Sequence, residues 1–273
     1  MRVVNRVILI GVDYKYKKIS NMKTATTRIP LLIGLLLWTS LEIINLRVNY
    51  IYWCPFLVVM VIFVIAWFNL NSHSWLDQII IWLIPIVNFL VWCGFLSIIN
   101  SSLMRQLFII IAAVSGWWYW RQALKEAMAK EITLGQWWRT VNIINALSVW
   151  LLAAILYGWQ SFLGWSIWWL WLIWLLCSGL LLVADYYASR LNLITHWPII
   201  TAAWLILGQL FMAVYFLPSS NFVLAYLLLL AYYVFGQLSR DSILKINTKK
   251  RLRYQMATLA LGLILVMGTA KWF

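Results

Sequence analysis

Nine long, mostly apolar stretches run along the chain, cut apart by short polar segments. They are Pro30–Leu46, Ile51–Leu70, Ile79–Ile98, Leu103–Trp120, Val141–Tyr157, Phe162–Asp185, Trp197–Leu217, Phe222–Leu238 and Gln255–Lys271. A helix rising 1.5 Å per residue needs about 20 such residues to cross a hydrocarbon core about 30 Å thick. The pattern therefore predicts an all-α, polytopic membrane protein with nine transmembrane helices. The polar connections after the first, third, fifth and seventh stretches are only a few residues long, which predicts antiparallel helical hairpins.

The basic residues fall almost wholly in every second connection. With the N-terminus inside, the tail holds Arg2, Arg6, Lys15, Lys17, Lys18, Lys23 and Arg28. The later inner loops add Arg121, Lys125, Lys130, Arg139 and Arg190, and then Arg240, Lys245, Lys249, Lys250, Arg251 and Arg253. Only Arg47, Arg105 and Lys271 fall on the outer side. Positive loop residues are retained in the cytoplasm, so the asymmetry predicts N-in/C-out.

Composition leaves no room for an appended water-soluble domain, since 65% of residues are hydrophobic and 10% charged. The expected organisation is a basic cytoplasmic arm over residues 1–28 and one transmembrane helical domain over 29–273. The net charge of +14 is explained by topology and suits anionic lipid headgroups, so membrane lipid is the expected partner and nucleic acid is not. The apolar run Val7–Val12 is too short for a secretory signal, and no small-residue cleavage pattern follows it. Multi-pass integration into the cell or cytoplasmic membrane is the expected localisation. Cys54, Cys93 and Cys177 lie inside apolar stretches without paired spacing, as buried small hydrophobes do.

Two inner loops, after the second and sixth stretches, each carry an Asp at the membrane edge, Asp77 and Asp185. They hold equivalent places if the chain is two four-helix units followed by a ninth helix, an arrangement that rests on topology alone. Continued as a helix, the first loop puts Asn69, His73 and Asp77 at i, i+4 and i+8 on one face. The same residues also suit a plain polar turn. In the second loop Asp185 and Ser189 are four apart and Arg190 follows; Asp185 could equally mark a helix end and pair with Arg190. Pro85, with Asn88 nearby, predicts a kink in the third helix.

With these loops in view the sequence resembles the UbiA-type intramembrane prenyltransferase superfamily. Its members have nine helices, N-in/C-out, about this length, and two Asp-rich motifs in the inner loops after helices two and six. The first motif, Asn-x-x-x-Asp-x-x-x-Asp, maps onto Asn69, His73 and Asp77. The second, Asp-x-x-x-Asp and a basic residue, maps onto Asp185, Ser189 and Arg190. Arg28-Ile29-Pro30 is similar to the Arg-Pro region that opens many members, and Tyr119 with Lys125 to a Tyr-then-Lys segment after helix four. The resemblance implies that Asp77 and Asp185, assisted by Asn69, hold Mg²⁺ against an isoprenyl diphosphate. Lys125 and Arg190 would bind the diphosphate, with Arg121 and Arg139 as further basic residues for it, and a hydrophobic acceptor would take the isoprenyl group.

The chain departs from the family where Leu70, His73 and Ser189 replace acids. Mg²⁺ prefers oxygen ligands, so His73 is a poor substitute and Ser189 brings no charge. A catalytically degenerate relative that binds lipid or a membrane partner is therefore the second reading.

Glu42 carries the third, a proton-coupled or small-solute transporter, because an acid inside a span is a functional candidate. The alternative for Glu42 is a structural ion pair with Arg47 or Arg105. The Trp-rich sixth stretch, with Trp165, Trp168, Trp169, Trp171 and Trp174, admits interfacial anchors and packing on one hand and an isoprenoid tunnel on the other. Trp117, Trp118 and Trp120 at the end of the fourth divide the same way. There is no Gly-rich phosphate loop, and His73 and His196 are the only histidines.

Overall fold

The computed structural model describes residues 28–47, 53–69, 75–128, 134–189, 191–244 and 249–269. Among them every regular element is an α-helix. In chain order these are α1 (Arg28–Leu46), α2 (Trp53–Asn69), α3 (Trp75–Leu96), α4 (Ser102–Met128), α5 (Leu134–Leu163), α6 (Ile167–Ala188), α7 (Leu193–Tyr215), α8 (Asn221–Ile243) and α9 (Lys249–Thr269). Each overlaps one of the nine apolar stretches. Of these helices α1, α5, α6, α7 and α8 are long and apolar enough to cross a membrane. A helix satisfies its own backbone hydrogen bonds, the condition for crossing lipid. The protein is an α-helical integral membrane protein. The expected arm falls, up to Thr27, outside the described residues.

The centre of the bundle is α5, which packs against α3, α4, α6 and α8. Its residues Leu151 to Tyr157 are all buried, and a helix apolar all round belongs in the middle. By contrast α6 turns Trp168 and Leu176 outward, with more than half of each side chain exposed, as a lipid-facing flank does.

The connections are chemically marked. Gly164 follows α5 at φ 65°, the left-handed conformation of a helix-ending glycine, and its N–H donates to Gln160 O at 3.1 Å. Asn192 caps α7, its side chain accepting from the Ile194 and Thr195 N–H groups.

Indole N–H groups stitch α6 to α7. Trp171 Nε1 donates to Gly208 O at 2.9 Å, Trp174 Nε1 to Leu207 O at 3.1 Å, and Trp204 Nε1 returns to Leu175 O at 2.7 Å. Glycines permit the approach: a Cβ on Gly179 would lie 2.6 Å from Trp204 Nε1. Phe211 on α7 stacks against both Trp174 and Tyr157, at centroid distances of 5.2 and 4.8 Å, which keys α5 into the same contact. Trp174, Phe211 and Tyr157 are fully buried, so these three aromatic side chains belong to the packed core.

Polar contacts divide the bundle into two ends. Gln160 donates to Tyr215 and Ser161 to Asn221 where α5 and α7 finish and α8 starts. Ile98 meets Gly158 at that same end, so α3 runs parallel to α5. The starts of α3 and α5 and the finishes of α6 and α8 therefore share the other end.

Candidate functional site

At that second end, Asp185 sits in the last turn of α6 with both carboxylate oxygens engaged. Asn145 Nδ2, on α5, donates to Oδ1 at 2.8 Å; the Tyr232 hydroxyl, on α8, donates to Oδ2 at 2.5 Å. Asn145 Nδ2 also reaches Leu181 O at 3.1 Å, while its own Oδ1 is buried with no hydrogen-bond partner. Two turns further along α8, Ser239 shares a hydrogen bond with the Tyr186 hydroxyl.

Beside this network lies Arg240. Its guanidinium stands 4.0 Å over the Trp138 ring, donates to Gln237 Oε1 at 2.6 Å and lies 3.7 Å from Asp241 Oδ1. Asp241 in turn accepts from Gln255 Nε2 on α9 at 2.8 Å, so α9 is fastened to the same end. Stacking on the indole fixes the plane of the guanidinium and so the direction of its donors.

Asp185, Tyr186, Tyr232, Trp138, Ser189 and Arg240 line a cavity of about 20 Å³. That is room for one ordered water. Asp185 is the one carboxylate on this lining and a hard oxygen ligand of the kind Mg²⁺ takes, although both of its oxygens already accept hydrogen bonds. The space does not suit the ion: a cavity of this volume cannot admit a hydrated ion carrying a diphosphate. Among the described residues no group of three or more His, Cys, Asp or Glu side chains converges on a metal position.

The residues expected from the motifs are distributed unevenly. His73 and Arg190 lie outside the described residues, as do the side chains of Asn69 and Asp77; the backbones of the last two end α2 and begin α3. Ser189 lines the cavity, but its hydroxyl donates to Asp185 O at 2.8 Å, closing the helix end. Lys125 is exposed in the last turn of α4, Arg139 is exposed on α5, and Arg28 is exposed where α1 begins. Arg121 lies 5.3 Å over Trp117 on its own helix. Tyr119 is buried against Trp137, 5.2 Å between ring centroids.

Asn145, Tyr232 and Arg240 were not expected from the loop motifs. A signal existed, because Tyr232, Gly236 and Arg240 recur at i, i+4 and i+8 on one face of α8 and all three line the cavity.

Glu42 belongs to the opposite end. Its Oε2 accepts from Gln106 Nε2 on α4 at 3.2 Å and from Asn45 Nδ2 at 3.4 Å. The expected arginine partners are not the ones it uses, since Arg105 Nε donates to Ile99 O at 2.6 Å. Amide donors work as well on a neutral acceptor. Replacing Glu42 by Gln should therefore leave stability within about 1 kcal/mol of the wild-type chain. Loss of proton-coupled uptake by a normally folded Glu42→Gln protein would instead establish the transporter reading.

The cysteines carry no disulfide; Cys93 is buried, and Cys54 and Cys177 are partly so. No family model, curated protein or solved structure matches the chain.

Proposed function

We propose that the chain crosses the cell or cytoplasmic membrane nine times, N-in/C-out, and is a divergent intramembrane prenyltransferase. It moves an isoprenyl group from its diphosphate to a lipid-soluble acceptor at the Asp185 end of the bundle. The observation that carries this reading is the juxtaposition of Asp185 and Arg240 in one cavity at a helix-terminal edge. A carboxylate can hold a cation and a guanidinium can hold phosphate oxygens, the two tasks that a metal–diphosphate leaving group sets. Asp77 opens α3, which packs against α5 and α6 and starts at that same end. Metal binding would fall to the two Asp residues with Asn69. Arg240 joins Arg190 and Lys125 for the diphosphate.

The small volume of the cavity supports a second reading, a degenerate relative that binds lipid without turnover. Equilibrium binding of farnesyl diphosphate with and without Mg²⁺ separates the two. Under the transferase reading, binding is Mg²⁺-dependent, disappears in Asp77→Ala and in Asp185→Asn, and tightens when His73→Asp and Ser189→Asp restore hard oxygen ligands. Turnover with a hydrophobic acceptor should rise in the restored variant. Restored binding without turnover fits the degenerate relative; metal-independent binding untouched by any of these changes refutes the transferase and leaves the acidic loops as plain polar turns.

The orientation has its own test. Single cysteines at Asn192 and Ser242, in a chain without its native cysteines, should stay shielded from an impermeant thiol reagent added outside intact cells. Cysteines at Ser101 and Ser220 should label. The reverse pattern would turn the bundle over and remove the site from the cytoplasm.

A further inference from the structure

We infer that the end of the bundle away from Asp185 holds a binding site for a neutral amphiphilic lipid, one with a hydroxyl or carbonyl head and a single long chain. There α3, α5 and α8 diverge around a cavity of about 650 Å³, within the range of small-molecule sites. Ile98, Trp159 and Phe222 form its apolar wall, and Ser97, Asn100 and Asn221 supply its polar groups. The wall is rigid, because Phe222 is backed by Phe95 and Trp150 at centroid distances of 6.3 and 6.4 Å. The Trp150 indole N–H behind it is buried without a hydrogen-bond partner.

The polar groups are neutral and partly committed. Ser161 Oγ, whose one proton also faces Tyr157 O at 2.9 Å, lies 3.2 Å from Asn221 Oδ1, and the Asn221 amide lines the cavity as a neutral polar group. Among the described residues no lining side chain is ionisable. Arg105, on α4 at this end, has its Nε directed to Ile99 O. An anionic head would therefore lose hydration with no lining cation to meet it, at a cost of several kcal/mol. Water filling the same space would face mainly aromatic and aliphatic surface, which an alkyl or isoprenyl chain covers at a gain of about 25 cal/mol per Å². A neutral head beside Asn100 and Asn221, with its chain along Trp159 and Phe222, satisfies both parts of the lining. The inference is independent of prenyl transfer, whose residues lie at the other end.

The experiment uses the full chain in phosphatidylcholine nanodiscs with a diazirine-bearing monoacylglycerol, followed by peptide mapping. Labelling should concentrate on Ile98–Asn100 and Trp159–Leu163. It should fall roughly tenfold in Ala154→Phe, which fills the cavity, and in Ser97→Trp, which blocks its exposed rim without touching the core. Excess monooleoylglycerol should compete, and oleate at alkaline pH should not. Labelling that is as strong at the lipid-facing Trp168 and Leu172 of α6 and ignores both variants would show annular lipid only and overturn the proposal. Equal competition by oleate would overturn the neutral head.

Discussion

Replacing Asp185 by alanine should destabilise the protein by roughly 2–4 kcal/mol, because two donors lose their acceptor together. Tyr232 and Asn145 are almost completely buried, and both point at this one carboxylate. A buried donor left without a partner costs about 1–3 kcal/mol, whereas removing both members of a pair costs less than the sum. Tyr232→Phe alone should therefore cost about 1 kcal/mol. In the double variant Asp185→Ala/Tyr232→Phe the two effects should overlap, with a coupling of about 1 kcal/mol. Asp185→Asn keeps one acceptor and should fall between. Denaturant titration in mild detergent measures all four, and strict additivity would mean that the hydroxyl and the carboxylate do not interact.

Gly179→Val should be nearly as damaging, at about 2–4 kcal/mol, for a steric reason. The new Cβ would lie 2.6 Å from Trp204 Nε1 and 2.8 Å from Cε2. The indole cannot yield without breaking its bond to Leu175 O, and at this depth no water replaces it. Gly116→Ala makes the contrast. Its Cβ would come 2.2 Å from Leu37 Cδ1, the far end of a side chain that can change rotamer, so its cost should be about 1 kcal/mol. Thermal unfolding of the two variants side by side tests whether α6 and α7 are truly held at backbone distance. Similar losses would mean that they are not.

The helices were legible because hydropathy reports on the medium that surrounds them. Phe222–Leu238 and Leu103–Trp120 are recognisable in α8 and α4, yet α8 runs on to Ile243 and α4 to Met128. Those extensions contain Arg121, Gln122, Lys125 and Arg240, good helix formers that a hydrophobicity criterion reads as loop. The same blindness hid half of the site. Arg240 was counted as a topological charge, although its guanidinium is folded back over Trp138. Asn145 gave no sign within an apolar run, since a single buried amide has no period. Asp185 was found because it ended a span beside a basic residue, a local pattern; its partners come from α5 and α8, and that proximity is set by packing.

The indole stitches between α6 and α7 also make that pair self-sufficient. Each joins only those two helices, so they can close as soon as α7 has left the ribosome and entered the bilayer, where lipid offers no competing hydrogen bonds. Asp185 has by then met Asn145 alone, because Tyr232 has yet to be synthesised. A chain halted near Tyr215 would hold a locked hairpin with its carboxylate half-clasped, and the arrival of α8 completes the site.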